Sequence, residues 1–201
     1  NNRYILWGKL KMQVTKIETK YKSKSKDKEG TPFLIVKEAT YEDNSKYVYS
    51  SRPNQNSIKF ILVDLEKNAV ALVKELQIPR NYITEEKDSQ TQLTSFGGSI
   101  EKDTKNLLSL VLKETREETG YKVSSSKIKY VGVSAVSNQS DELAYMFVVD
   151  VTNLTPSNRE LEKGETDSMV QWLTEEDFYT NADVVSITIL TKYLRLVGRF
   201  K

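Results

Sequence analysis

Three carboxylates, Glu114, Glu117 and Glu118, stand at i, i+3 and i+4 in the segment Lys113-Glu114-Thr115-Arg116-Glu117-Glu118. On a helix that spacing gathers all three within about one turn. Leu107, Leu108, Val111, Leu112 and Thr115 form the neighbouring apolar stripe, and Glu118 falls at nearly the same angle as Leu107 and Val111. A carboxylate aimed along an apolar stripe is costly unless it is paired or bound to a metal. Clustered carboxylates also repel one another, and a divalent cation relieves that repulsion. An acidic helix end with ion pairs to Lys113 and Arg116 fits the same wheel equally well. Upstream, Gly97-Gly98 predicts a turn where backbone can approach a phosphate or metal with no Cβ in the way. Glycine turn, helix and carboxylates together point to a Mg²⁺ site for a diphosphate, with Mn²⁺ as a substitute.

The composition narrows the chemistry further. The 201 residues include no Cys and no His. That excludes a disulfide scaffold, thiol catalysis, Cys/His zinc sites and any nucleophile activated by a histidine base. Carboxylates, lysines, arginines, hydroxyls and a hard, oxygen-bound metal remain. Lys and Arg total 30 against 28 Asp and Glu, a net charge of +2, so overall charge favours no partner. The Lys-rich run from Lys20 to Gly30 reads as a solvated hairpin loop before a nucleic-acid arm, and nucleic acid is not an expected partner. An apolar fraction of 38% with 29% charged residues suits a globular chain with a sizeable core. No apolar run approaches the roughly 20 residues that span a bilayer, so no membrane association is expected and the cytoplasm is the expected compartment.

The elements that must position these residues follow from periodicity. Strands are predicted from Met12 to Ile17 and from Phe33 to Val36. Residues 39–57 read as polar connection, with a boundary near 55. Ile58 to Leu65 and Ala69 to Lys74 form a hairpin through Glu66-Lys67-Asn68, and a polar loop covers 80–91. A helix over 106–119 is stopped by Gly120. Strands follow from Lys127 to Val136, Leu143 to Val151 and Met169 to Leu173, with Trp172 expected in the core. Thr174-Glu175-Glu176-Asp177 opens a short helix, and a last helix runs from about Ala182, with Val184, Ile187, Leu190, Leu194 and Val197 at helical spacing. The irregular interleaving predicts an α/β (α+β) fold, a mixed sheet covered by helices.

Gly97-Gly98-Ser99-Ile100-Glu101 followed by Lys113-Glu114-Thr115-Arg116-Glu117-Glu118-Thr119-Gly120-Tyr121 resembles the Nudix box. The box reads Gly, five residues, Glu, seven residues, then Arg-Glu-apolar-x-Glu-Glu-x-Gly-apolar. This chain is one residue longer between Gly98 and Gly120 and lacks the first Glu, with Thr104 or Lys105 in its place. It has Lys113 for the Arg, a point charge without a planar fork, and Thr115 at the apolar position. Over most of 47–197 the chain looks most like the ADP-ribose pyrophosphatase branch. Val73 to Pro79 resembles the strand end before the box, Ser137-Asn138-Gln139-Ser140-Asp141-Glu142 a downstream loop, Glu160 to Glu165 the acidic loop with the catalytic base, and Asn181 to Ser186 the start of the closing helix.

The resemblance implies a Nudix-type mixed sheet sandwiched between helices over 56–201. It also implies a small N-terminal β-rich extension over 1–55 that builds a homodimer. It implies Mg²⁺-dependent hydrolysis of a nucleoside diphosphate linked to another group, ADP-ribose or a similar nucleotide sugar. A catalytically weak module that binds such a nucleotide is the alternative. The implied metal ligands are Glu114, Glu117, Glu118 and the Gly97 carbonyl, and Glu117, Glu162 and Glu165 are the implied catalytic residues. The branch's phosphate-binding Arg is Gln77 here, so Arg52 or Arg80 supplies that charge, with Gly98 and Glu142 also at the substrate. Tyr47, Tyr49 and Tyr82 are candidates to stack on a base.

Overall fold

The computed structural model describes residues 13–24, 32, 34–52, 56–76, 91–101, 103–159 and 169–199. They belong to two compact units: Asn1–Pro53 with Ser137–Glu142, and Asn54–Val136 with Leu143–Lys201.

In the second unit, alternation along one strand sets the layers. In β4 (Asn56–Asp64), Ile58, Phe60 and Leu62 join one buried cluster, and Ile61 and Val63 join another. A strand apolar on both faces must be covered twice. Helix α1 (Leu107–Thr119) covers the first face through Val111, with Leu107, Leu108, Leu110 and Leu112 packed around it. Helices α2 (Glu175–Asn181) and α3 (Val184–Leu196) cover the second through Phe178, Ile189, Leu190 and Leu194. The sheet is therefore sandwiched between helices.

Its order is β10 (Met169–Thr174), β5 (Ala69–Leu76), β4, β9 (Leu143–Asp150), β8 (Ile128–Ala135). β4 and β9 run parallel, with Phe60 opposite Phe147, and the other pairs are antiparallel. β4 and β5 pair only over Leu62–Asp64 with Ala71–Ala69, and then diverge. Into that divergence runs a bent pair of short strands. β6 (Thr91–Thr94) pairs with β5, and β7 (Phe96–Ile100) turns back along β4, with buried Ser95 at the bend. Phe96 stacks on Phe60 at 5.4 Å between ring centroids, which anchors β7 to the core.

The expectation of a glycine turn is corrected here. Gly97 and Gly98 lie inside β7, opposite Lys59 and Ile58, and neither has a positive φ. What these positions require is the absent Cβ. A Cβ on Gly97 would lie 2.5 Å from the Ile58 carbonyl oxygen, and one on Gly98 would lie 2.6 Å from Glu114 Oε1.

The first unit contains the three-stranded antiparallel sheet β1 (Val14–Lys22), β2 (Ile35–Tyr41), β3 (Lys46–Ser51). The polar connection expected over 39–57 is thus corrected as well: the end of β2, all of β3 and the start of β4 occupy it. Their polarity has a structural use, since Glu38 bonds both Lys20 and Lys46 at 3.0 Å across neighbouring strands. The Ser137–Glu142 segment joins this sheet's edge, with Ser50 N–H donating to the Gln139 carbonyl at 2.8 Å. Among the described residues no helix is long and apolar enough to cross a membrane.

Candidate functional site

Helix α1 is delimited by side-chain and backbone capping. Asn106 Oδ1 accepts from the Leu108 N–H at 2.8 Å, and Gly120 closes the other end in the left-handed region at φ 77°. Thr115, which stands at an apolar position of the motif, is fully buried because its hydroxyl donates to the Val111 carbonyl at 2.7 Å. Thr119 does the same toward the Thr115 carbonyl. A buried polar group satisfied within its own helix costs little.

This places Glu114 and Glu118 on the side of α1 that meets β7. The Glu114 carboxylate fills the space a side chain at Gly98 would take. The Glu118 carboxylate accepts the Gly97 N–H, and burial together with the Glu114 charge pushes its pKa up to about 8. Glu75 pushes in the same direction, while the Gly97 N–H and the Lys59 ammonium pull it back. Glu117 pairs instead with Lys113 at 3.3 Å, and among the described residues no three acidic side chains converge to hold a metal.

The residues present fit a divalent cation. A desolvated carboxylate with a second carboxylate charge against it is the donor chemistry such an ion takes, and the missing Cβ at Gly98 lets the Glu114 carboxylate lie against β7. In the first unit, Arg52 Nη1 lies 3.5 Å from Glu142 Oε2, so these two expected substrate residues face each other. Tyr47 donates its hydroxyl to the Asn138 carbonyl, and Tyr49 lies under the Lys37 ammonium. Arg80, Tyr82, Glu162 and Glu165 lie outside the described residues.

A solved structure of an ADP compounds hydrolase matches with a TM-score of 0.60 at 15% identity, over 94% of this chain and 96% of that one. The fold is Nudix-type. A MutT/nudix family protein from Enterococcus faecalis also matches, with a TM-score of 0.40 at 15% identity, over 60% of this chain and 44% of that one. No family profile and no curated protein matches the sequence.

Within this Nudix-type fold three residues stand out that the motif did not single out. Arg159 Nε donates to the Glu118 carbonyl at 2.6 Å, and Ser157 donates to the Gly120 carbonyl from both its N–H and its hydroxyl at 2.9 Å. These bonds satisfy carbonyls that a helix C-terminus leaves without partners. Lys59 is the third; its only sequence signal is that it interrupts the apolar run Ile58 to Val63. Trp172, expected in the core, is 38% exposed and lines a cavity of about 580 Å³ with Lys74, Gln92 and Gln171. It stands on β10, which among the described residues has a neighbour strand on one side only, so that correction follows from sheet order.

Proposed function

We propose that the chain hydrolyses, with Mg²⁺ or Mn²⁺, the diphosphate bond of a nucleoside diphosphate linked to another group, with ADP-ribose or a similar nucleotide sugar as the favoured substrate. The observation that carries this reading is the Glu118 carboxyl, desolvated and set against the Glu114 charge beside a Cβ-free strand. The Nudix-type fold supports it.

Glu114, Glu117, Glu118 and the Gly97 carbonyl are the proposed ligands. A divalent ion held there would supply positive charge for the diphosphate and would make a water more acidic. Glu162 or Glu165 would take a proton from the attacking water as its oxygen bonds to one phosphorus and the bond from that phosphorus to the bridging oxygen breaks. The bridging oxygen leaves with the other phosphate, and Arg52, Arg80, Gly98 and Glu142 are assigned to substrate. Residues 1–55 are assigned to a dimerising β-rich segment and 56–201 to the hydrolase domain, in a cytoplasmic homodimer. The ion pair of Glu117 with Lys113 favours a second reading, a module that binds such a nucleotide without turnover.

The test is incubation with Mg²⁺ and a panel of ADP-ribose, other nucleotide sugars, dinucleotides and nucleoside triphosphates, with Glu117→Gln as control. Release of a nucleoside monophosphate, lost in the control, is the expected result. Thermal stabilisation by one of these ligands without products would leave the binding module.

A further inference from the structure

Lys59 interrupts the apolar run Ile58 to Val63 in the middle of β4. It lies opposite Gly97 in the β4–β7 register, and its side chain runs beneath that glycine. The point where a Gly97 Cβ would stand is 2.8 Å from Lys59 Cδ and 3.1 Å from its Nζ. Any side chain at 97 would displace the ammonium, so the glycine keeps this position open for the lysine as well as for close backbone approach. The residue is partly buried, and among the described residues its ammonium makes no hydrogen bond or ion pair. Its charge nevertheless acts on Glu118, whose carboxylate accepts the N–H of the same Gly97.

A partly desolvated ammonium has three donors that need oxygen acceptors. A carboxylate pair that draws in a divalent ion also draws in the phosphates that ion neutralises, so acceptors arrive next to Lys59 only with substrate. We infer that Lys59 binds a phosphate oxygen of the diphosphate substrate, completing from β4 the charge that Glu114 and Glu118 supply through the metal from α1. This inference rests on the proposed function and adds a substrate-binding residue to it. The ammonium gives a point contact to a nonbridging oxygen and needs no planar geometry.

The test compares the full-length protein with Lys59→Met, which keeps length without charge, and Lys59→Arg, which restores charge. With ADP-ribose and Mg²⁺, Lys59→Met is expected to raise KM about tenfold with a smaller change in kcat, and Lys59→Arg to recover most of the loss. Calorimetric binding of ADP in the presence of Mg²⁺ is expected to weaken by a similar factor in Lys59→Met, and this readout stands even if no substrate is turned over. Unchanged KM and unchanged ADP affinity in a folded Lys59→Met protein overturn the assignment. Tighter Mn²⁺ binding in Lys59→Met, with nucleotide affinity unchanged, also overturns it and makes Lys59 an internal counter-ion to the carboxylates. Wild-type protein that binds ADP but cleaves nothing defeats the hydrolase reading while leaving the Lys59 comparison decisive.

Discussion

Glu118 sets the energetics of the site. Its carboxyl keeps a proton up to about pH 8 in the folded protein, against an ordinary value of 4.5. Between those values the native state holds a proton that the unfolded chain has released, so stability falls as pH rises through the window. The stabilisation is complete below the unfolded value and gone above the folded one. Urea melts in EDTA are therefore expected to give a lower midpoint at about pH 9 than at about pH 6, and Glu118→Gln, neutral throughout, to flatten that slope. A slope retained in Glu118→Gln would assign it to another group. Gly98 tests the neighbouring carboxylate. Its backbone conformation suits any residue, so Gly98→Ala should fold, yet the new Cβ would stand 2.6 Å from Glu114 Oε1. Displacing that carboxylate is expected to weaken Mn²⁺ binding about tenfold or more with little loss of thermal stability. Equal Mn²⁺ affinity in the two proteins would remove Glu114 from the ligand set.

At the scale of the element, α1 is held at its C-terminus by contacts far along the chain. Gly120 combines φ 77° with a site where a Cβ would overlap the Ser157 carbonyl. Gly120→Ala should therefore cost about 2 kcal/mol or more, and Arg159→Ala about 1 kcal/mol, read from denaturant melts. A Gly120→Ala protein as stable as wild type would show that the clasp is not rigid. This helix was legible in the sequence because its signals are local: a capping Asn106, an apolar stripe, and Gly120. The cluster of Glu114 with Glu118 was legible for the same reason, since helical spacing alone brings them together. The glycine pair misled because a sequence shows that a Cβ is missing without showing whether a turn or a neighbouring side chain requires it. β3 and all of β2 beyond Val36 were missed because Glu38, Lys46 and their neighbours look like loop residues until cross-strand pairing to Lys20 gives them partners. Lys59 and Arg159 act through residues distant in sequence, which no spacing rule reaches.

At the scale of the whole molecule the two sheets differ in how they are stabilised. The seven-stranded sheet is covered on both faces, with Ile58, Phe60, Ile61, Leu62 and Leu72 fully buried. In the three-stranded sheet, among the described residues, Ala39 is the only buried apolar side chain. Ile17 and Tyr47 flank it across the strands, yet Ile17 is 58% exposed, and Val48 on β3 is 49% exposed. A small sheet needs an apolar face covered by something to be stable. In the homodimer we propose, a second copy supplies that cover, so the chain is expected to sediment as two copies. Ile17→Lys, which puts a charge in the middle of the Ile17-Ala39-Tyr47 row, is expected to shift it toward one copy. The fold of the second unit, which holds Glu114 and Glu118, should survive that change, and Mn²⁺ binding should report it. A dimer that persists unchanged in Ile17→Lys would move the interface off this sheet, and wild-type protein sedimenting as one copy would end the dimer proposal altogether.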